Sequence, residues 1–163
     1  MDRKELTAHL LAGGVSAEHL AGDTDTLAPY CGLFDPPGAE AIGRALAQEV
    51  RHLEPTKVLV WEDADVNILG HIVARELGIT AARALEVSGV LDLDGSIGAD
   101  RVVVVGDAIR RTSHVQAMRA LAERNGGQLV GLAVLVSTPA FREATEGATT
   151  VVLLQDEEEQ ALR

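Results

Sequence analysis

Short apolar runs alternate with amphipathic segments along this chain, and the alternation predicts strands and helices in turn. Apolar positions at helical spacing predict helices near residues 3–11, 38–51, 67–77 and 113–125. Continuous apolar runs predict strands near residues 57–61, 81–85, 101–105, 129–136 and 150–154. Gly78 and Gly126-Gly127 fall where helix C-caps are expected. This order of elements indicates an α/β fold whose central, mostly parallel sheet is flanked by helices.

The most informative segment is 102–114, VVVVGDAIRRTSH, in which a strand of valines runs into a polar loop and then into a helix. Consecutive β-branched residues without alternation are typical of a strand buried on both faces. Ligands of open parallel sheets bind beyond the carboxyl ends of the strands, which is where Asp107 falls. Thr112 or Ser113 is expected to cap the following helix, whose N-terminus favours an anion. Arg110 and Arg111 add positive charge, so the segment predicts a phosphate site.

At these residues the chain resembles the type I phosphoribosyltransferases, whose signature is a hydrophobic strand, two acidic residues, a turn and a phosphate loop before a helix. Gly106 stands in place of the first acid, and Asp107 keeps the second. The order of elements is similar to that of orotate phosphoribosyltransferase over most of the 163 residues. The resemblance implies that Asp107 faces the ribose hydroxyls of phosphoribosyl pyrophosphate (PRPP). It also implies that the loop through Thr112, Ser113 and His114 faces the 5′-phosphate.

The resemblance implies a single phosphoribosyltransferase-like domain over residues 1–163. Its expected parts are an N-terminal helix and small hood region at 1–37, an α/β core at 38–155 and an acidic tail at 156–163. Family dimers share parts of their sites, so the resemblance further implies a homodimer, or a heterodimer with a related chain.

Two further segments depart from the family in the same direction. The family's pyrophosphate loop is small and glycine-rich, whereas this chain places Glu62, Asp63 and Asp65 there. Like charges at contact distance cost on the order of 1–4 kcal/mol per pair near a protein surface. The stretch 84–100 corresponds to the family's mobile basic loop and contains no Lys or Arg, so charge on a leaving pyrophosphate would not be neutralised. The sequence therefore predicts the family's fold with impaired PRPP chemistry, and it assigns no catalytic residue.

Composition is that of one compact domain, with 47% hydrophobic and 24% charged residues but only 2% aromatic. The net charge of −11 argues against a nucleic-acid surface, which needs clustered Lys and Arg. No apolar run reaches the roughly 18 residues of a membrane span. Residues 2–5 begin an amphipathic helix rather than an apolar signal segment, so a cytoplasmic location is expected. Cys31 is the only cysteine, and we expect an unreactive thiol.

A metal site finds little support in the sequence. The spacing of Asp63, Asp65 and Asn67 opens a calcium loop, but Ile68 and Ala74 stand where that loop needs Gly and Glu. A looser cluster of Glu62, Asp63, Asp65 and Asp107 stays open as an alternative to a solvated acidic rim. No cofactor is assigned, and Mg²⁺ is expected only together with a phosphorylated ligand.

Several side chains near the expected site have two interpretations. Trp61 ends a strand and either packs in the core or stacks on a base, with packing favoured. His71 is expected to be a packing or surface residue. His114 is a candidate for contact with a ligand, and a side chain without a ligand role is the alternative. Arg110 and Arg111 either bind an anion or pair with the nearby carboxylates.

Three hypotheses follow. The favoured one is a divergent, catalytically impaired orotate phosphoribosyltransferase-like protein that binds a nucleotide or phosphate ligand or serves as a partner subunit. The second is an active phosphoribosyltransferase that converts a nucleobase and PRPP to a nucleotide and pyrophosphate. The third is an interaction module without a small ligand, whose acidic loops at 61–67 and 86–100 bind a basic partner.

Overall fold

The computed structural model describes residues 3–12, 33, 35–109, 111–145 and 148–154. Its helices are α1 (Arg3–Ala12), α2 (Pro36–Val50), α3 (Ala64–Leu77), α4 (Thr112–Arg124) and α5 (Pro139–Ala144). Its strands are β1 (Lys57–Trp61), β2 (Thr80–Val87), β3 (Val90–Asp94), β4 (Arg101–Gly106), β5 (Gln128–Val136) and β6 (Thr150–Leu154). Most of the expected hood region, including Cys31, and the acidic tail lie outside the described residues.

The strands form one sheet in the order β3-β2-β1-β4-β5-β6. All neighbouring pairs are parallel except β2 and β3, which are antiparallel. The predicted mostly parallel sheet is therefore confirmed. Strands β1 and β4 are direct neighbours, with Val60 opposite Val105, so their carboxyl ends lie side by side in the sheet. This neighbouring pair of ends is where the site is expected.

Helices cover both faces of the sheet, and β4 shows why its valines do not alternate with polar residues. Val103 and Val105 belong to the buried cluster that includes residues of α1, α2 and α3. Val102 and Val104 belong to the second cluster, with residues of α4 and α5. All four valines are at most 3% exposed. A strand with an apolar core on each side needs apolar side chains at every position.

The stretch 84–100, which corresponds to the mobile basic loop of the phosphoribosyltransferases, forms a β-hairpin over much of its length. Ser88 and Gly89 have φ values of 53° and 78°, and Val87 lies opposite Val90. Positive φ at both central residues gives the two-residue turn that fits the right-handed twist of paired strands. The expectation of a loop is wrong here, because the backbone of 83–87 pairs with that of 90–94.

Most of the other predicted elements lie close to their observed positions. One helix begins earlier than predicted, and one helix was not predicted. Strands β1 and β6 have the predicted bounds. Helix α3 begins at Ala64 rather than at residue 67. Helix α5 was not predicted; it opens at Pro139 and is capped by Thr138, whose Oγ1 accepts from the amide of Phe141 at 3.0 Å.

Close packing fixes the position of α3 against the sheet. A Cβ atom at Gly70 would overlap Cγ1 of Val60 on β1, and a Cβ atom at Gly43 on α2 would overlap Cγ2 of Ile72. Helix α3 then ends at Gly78, which has φ 72° and forms the predicted C-cap. Within the described residues, no helix is both long and apolar enough to cross a bilayer.

Candidate functional site

A cavity of about 270 Å³ lies beyond the carboxyl ends of β1 and β4. It is therefore at the place where ligands of open α/β sheets bind. Its described lining residues are Trp61, Glu62, Asp63, Val66, Val104, Val105, Gly106, Asp107, Ala108, Ile109, His114 and Met118. The wall thus combines three carboxylates, two aromatic rings and an apolar floor.

Asp63 closes the N-terminus of α3 with its own carboxylate. The backbone amides of Asp65 and Val66 donate to Oδ1 of Asp63 at 3.0 and 3.4 Å. Asp63 has extended backbone angles, φ −145° and ψ 138°, as an N-cap residue requires. First-turn amides are the groups with which a helix binds an anion. In α3, two of these amides already donate to the Asp63 carboxylate.

The three predicted carboxylates of this segment lie in three different environments. Glu62 is exposed, Asp63 caps the helix, and Asp65 is buried with only 5% of its surface accessible. The interpretation of 61–67 as an open loop is corrected, because the helix already begins at Ala64.

Asp65 is an unusual residue for the interior. Its Oδ1 atom accepts no hydrogen bond from the described part of the chain. Burial raises the pKa of the Asp65 carboxyl above its ordinary value, and the charges of Asp63 and Asp107 raise it further. The carboxyl groups of α3 and of the loop after β4 are therefore close enough to interact.

Asp107 is held in place by the neighbouring strand. Its backbone carbonyl accepts from the amides of Leu135 and Val136 at 3.0 and 3.2 Å. Its Oδ1 atom accepts from the amide of Ala108 at 2.6 Å. These bonds tie the loop after β4 to β5, so Asp107 is presented to the cavity from a fixed backbone.

Helix α4 begins differently from α3. Its N-cap residue is Arg111, with φ −132° and ψ 128°, and this residue makes no side-chain capping hydrogen bond. The prediction that Thr112 or Ser113 caps the helix is wrong, because Thr112 is already the first helical residue. An N-cap residue needs an extended backbone, which Arg111 supplies. The Arg111 side chain therefore does not cap α4 as the Asp63 carboxylate caps α3.

An aromatic pair joins the two sides of the cavity. The rings of Trp61, at the end of β1, and His114, in the first turn of α4, stack with centroids 4.4 Å apart and planes 10° from parallel. Trp61 also packs against the buried cluster beneath α4, as its packing interpretation expected. The sequence placed both residues near the site, but it gave no signal that they touch.

The predicted site residues divide between the cavity wall and its surroundings. Asp107 and His114 line the cavity, and so do Glu62 and Asp63. Arg111, Thr112 and Ser113 are not among its described lining residues, and Arg110 lies outside the described residues. No Lys or Arg is among the lining residues that the structure describes.

The described side chains do not form a resident metal site. No group of three His, Cys, Asp or Glu residues among them is arranged to hold a metal ion, so Glu62, Asp63, Asp65 and Asp107 do not make the cluster that their spacing allowed. Since Asp63 Oδ1 is committed to two helix amides, this donor set fits a resident Mg²⁺ poorly.

A second cavity, of about 590 Å³, lies between α2 and α3. His71 borders it and is exposed, in line with the expected surface role. The Arg75 guanidinium donates to both carboxylate oxygens of Glu40 at its rim and lowers the pKa of Glu40. Asn67 also lines this cavity, and its buried Oδ1 atom accepts no hydrogen bond from the described residues. The other described lining residues are apolar.

No protein-family model matches the sequence, and a search of curated proteins finds no match. Solved structures match over nearly the whole chain. Orotate phosphoribosyltransferase of Mycobacterium tuberculosis H37Rv, in complex with inorganic phosphate, is 18% identical with a TM-score of 0.76, over 98% of this chain and 91% of that one. Adenine phosphoribosyltransferase of Saccharomyces cerevisiae is 14% identical with a TM-score of 0.70, over 92% and 99%.

The UMP synthase of Leishmania donovani is 15% identical with a TM-score of 0.74, and the match covers 99% of this chain and 38% of the larger protein. At these identities the comparisons speak for the fold. The chain has the fold of the type I phosphoribosyltransferases.

Proposed function

We propose that this protein binds a phosphate ester, such as a nucleoside monophosphate, in the cavity beyond β1 and β4, and that it is impaired in transfer of a phosphoribosyl group. The observation that carries the proposal is the contrast between two helix N-termini. Helix α3 is closed by the Asp63 carboxylate, whereas α4 begins without a side-chain cap.

A pyrophosphate group would meet an unfavourable charge at the start of α3. The Asp63 carboxylate already accepts from the amides of Asp65 and Val66. Glu62 lines the same wall, so a second anion would face like charges costing on the order of 1–4 kcal/mol each. Binding of the pyrophosphate end of a PRPP-like ligand is therefore disfavoured, and the two ends of such a ligand are considered separately.

The hairpin in place of a basic loop supports the same conclusion. The stretch 84–100 contains no Lys or Arg. The nearest cation on β2, Arg83, donates from its Nε atom to Oδ2 of Asp94 at 3.1 Å, and that bond raises the pKa of Arg83. Developing charge on a leaving pyrophosphate would thus lack a dedicated cation in this segment.

The phosphate monoester end has a better partner at α4. Its first-turn amides and helix dipole favour an anion. His114 of this turn lines the cavity, and the hydroxyl groups of Thr112 and Ser113 belong to the same turn, beside the described lining residues. A structural neighbour with this fold was solved in complex with inorganic phosphate, which supports the choice of a phosphate-bearing ligand. A phosphorylated ligand would bring any Mg²⁺ with it.

A thermal melt with ribose 5-phosphate and nucleoside monophosphates tests the proposal. A ligand at 100 times its dissociation constant should stabilise the protein by roughly 2.7 kcal/mol. Ser113→Asp places a carboxylate at the α4 N-terminus and should abolish the stabilisation. Ser96→Asp, at an exposed position outside the helices and strands, is the matched control and should retain it. No shift with any phosphate ester would contradict the proposal.

The same protein preparation separates the alternatives. Release of pyrophosphate from PRPP and any nucleobase of a complete panel would establish the active transferase. Stoichiometric co-purification of another chain, together with no response to any phosphate ester, would favour a partner subunit or an interaction module for a basic partner.

A further inference from the structure

The described wall of the cavity beyond β1 and β4 carries three carboxylates and no permanent cation. The carboxylates belong to Glu62, Asp63 and Asp107, and no Lys or Arg is among the described lining residues. Ionised carboxylates accept hydrogen bonds and donate none, so they repel the oxygens of a phosphate. His114 is the described lining residue that can turn positive near neutral pH, because histidine has an ordinary pKa of about 6.5. The protonation of His114 therefore changes the charge that a phosphate ester meets.

His114 lies at the turn where the proposed phosphate binds. It belongs to the first turn of α4 and is half-buried, and its backbone amide donates to the carbonyl of Arg111 at 3.0 Å. Helix amides are neutral dipoles, so a phosphate bound by the amides of this turn alone still faces the carboxylates with its full charge. A positive imidazole on the same turn offsets part of that repulsion.

The stack of His114 on Trp61 favours the protonated ring. The two planes lie 10° from parallel, with centroids 4.4 Å apart. A cation within about 6 Å of an indole face is attracted by the electrons of the ring. Trp61 ends β1 and packs against the buried cluster beneath α4, and the amide of the next residue, Glu62, donates to the carbonyl of Ala84 at 2.9 Å. Trp61 thus offers a fixed aromatic face to an imidazolium.

The groups around His114 act on its proton in opposite directions. The three carboxylates of the cavity wall favour the charged ring, and so does Trp61. Asp65 on α3 interacts with two of these carboxylates, whose charges help to raise its pKa, and it adds to the negative side when ionised. The N-terminus of α4 and Arg111, three residues earlier, oppose the charged ring. A bound phosphate adds negative charge at this turn, so it shifts the balance towards the imidazolium.

The elements that pack against α4 bring few further charges to His114. Strand β5 has no charged residue. Helix α5 carries Arg142 and Glu143, and both are exposed. Strand β3 contacts the opposite end of α4, where Arg124 donates to the carbonyl of Leu91 at 3.0 Å. The charges that decide the state of His114 are therefore those of the cavity wall and of the start of its own helix.

We infer that His114 is the proton-dependent anion-binding residue of this cavity, which takes up a proton when a phosphate ester binds and donates an N–H bond to the phosphate. This inference rests on the proposed function and adds its dependence on pH. The proton comes from the solvent and returns to it when the ester leaves, and no covalent bond to the ligand forms or breaks. Affinity for a phosphate ester should therefore rise as the pH falls and His114 becomes protonated.

Calorimetric titration with ribose 5-phosphate at several pH values between about 5.5 and 8.5 tests the inference. His114→Gln removes the titrating ring and keeps a polar side chain, and His71→Gln is the matched control at an exposed position on α3. The second ionisation of the phosphate, at about pH 6, affects all three proteins alike, so the ratio of their dissociation constants isolates the histidine.

The two variants should differ in their dependence on pH. His114→Gln should bind about tenfold more weakly than the parent at the lowest pH, as expected for the loss of one charge-assisted hydrogen bond. At the highest pH, where the imidazole is neutral in both states, it should bind as tightly as the parent. His71→Gln should match the parent throughout.

Proton uptake gives a measurement that needs no variant. At about pH 7.5 the ester is already a dianion, so its binding to the parent in buffers of different ionisation enthalpy should show uptake of a fraction of a proton. A ratio between His114→Gln and parent that stays constant with pH, or binding to the parent without proton uptake, would overturn the inference and leave the proposed function standing. No binding of ribose 5-phosphate to the parent at any pH would overturn both.

Discussion

Asp63 is the residue on which the account of the site depends, because its carboxylate occupies the helix amides that would otherwise be open to an anion. The sequence showed its charge but not its role. The helix was expected at residue 67, since its apolar periodicity becomes clear only there. Asp is a preferred N-cap residue, and that preference was the signal available for placing the start at Ala64.

A substitution that neutralises the Asp63 carboxylate and one that removes its capping oxygen should have different effects on the stability of the protein. Asp63→Asn keeps a capping oxygen, so we expect little loss of stability. Asp63→Ala should cost about 1 kcal/mol, as the loss of a cap usually does. Both variants remove the negative charge and should strengthen PRPP binding relative to the parent. Urea unfolding and calorimetric titration measure the two quantities; unchanged PRPP affinity in both variants would contradict the assigned role.

Asp65 makes stability depend on pH. Its pKa is raised in the folded state by burial first and then by Asp63 and Asp107. The folded protein therefore holds this proton more tightly than the unfolded chain does. The resulting stability is fully present below the ordinary pKa of 3.8 and is lost as the pH rises through the folded-state pKa.

Asp65→Asn should consequently be more stable than the parent above that pH window, with the difference shrinking as the pH falls towards 3.8. Denaturant unfolding at a series of pH values measures the difference. Glu86→Gln, at an exposed position on β2, is the control and should show no such trend. A constant difference between Asp65→Asn and parent at all pH values would contradict the assignment.

At the scale of elements, the sequence predicted best where a hydrophobic period is unambiguous. The valines of β4 predict a strand buried on both faces, and the apolar run 129–136 predicts a strand. Both strands are found, at Arg101–Gly106 and Gln128–Val136. The hairpin β2-β3 was missed because its second strand, Val90–Asp94, alternates apolar and acidic residues and reads as a polar loop. The stack of Trp61 on His114 was beyond sequence reasoning, because it depends on where the fold brings the first turn of α4 relative to the end of β1.

The close approach of α3 to β1 predicts the effect of one methyl group. Gly70→Ala should lose about 1–3 kcal/mol, because the new Cβ overlaps Cγ1 of Val60. The double variant Gly70→Ala/Val60→Ala should recover part of that loss, since Val60→Ala removes the overlapping atom. Urea unfolding of the two single variants and the double variant measures the coupling, and strictly additive losses would contradict the packing described.

For the whole molecule, periodicity was sufficient to predict an α/β fold with a mostly parallel sheet. The phosphoribosyltransferase fold was implied by the family resemblance. The relation of the two helix N-termini to one cavity was not predictable, because it depends on the lateral pairing of β1 and β4. The net charge of −11 is readable from the sequence and acts on any anionic ligand at long range.

That charge should slow the approach of a phosphate ester at low salt. Raising the ionic strength from about 0.01 to 0.15 M shortens the Debye length from about 30 to 8 Å. The association rate constant of ribose 5-phosphate should therefore rise over this range. Stopped-flow fluorescence of Trp61 measures it, and a rate that falls with added salt would indicate a basic entry path instead.

We propose that this protein has a site for a phosphate monoester and that the Asp63 carboxylate occupies the amides that a pyrophosphate would need. Calorimetric titration of the unmodified protein with ribose 5-phosphate and with PRPP, both in the presence of Mg²⁺, tests it most directly. Ribose 5-phosphate should bind at least as tightly as PRPP, because the additional phosphates of PRPP meet the Asp63 carboxylate. Binding of PRPP about tenfold more tightly, equivalent to about 1.4 kcal/mol, would contradict it.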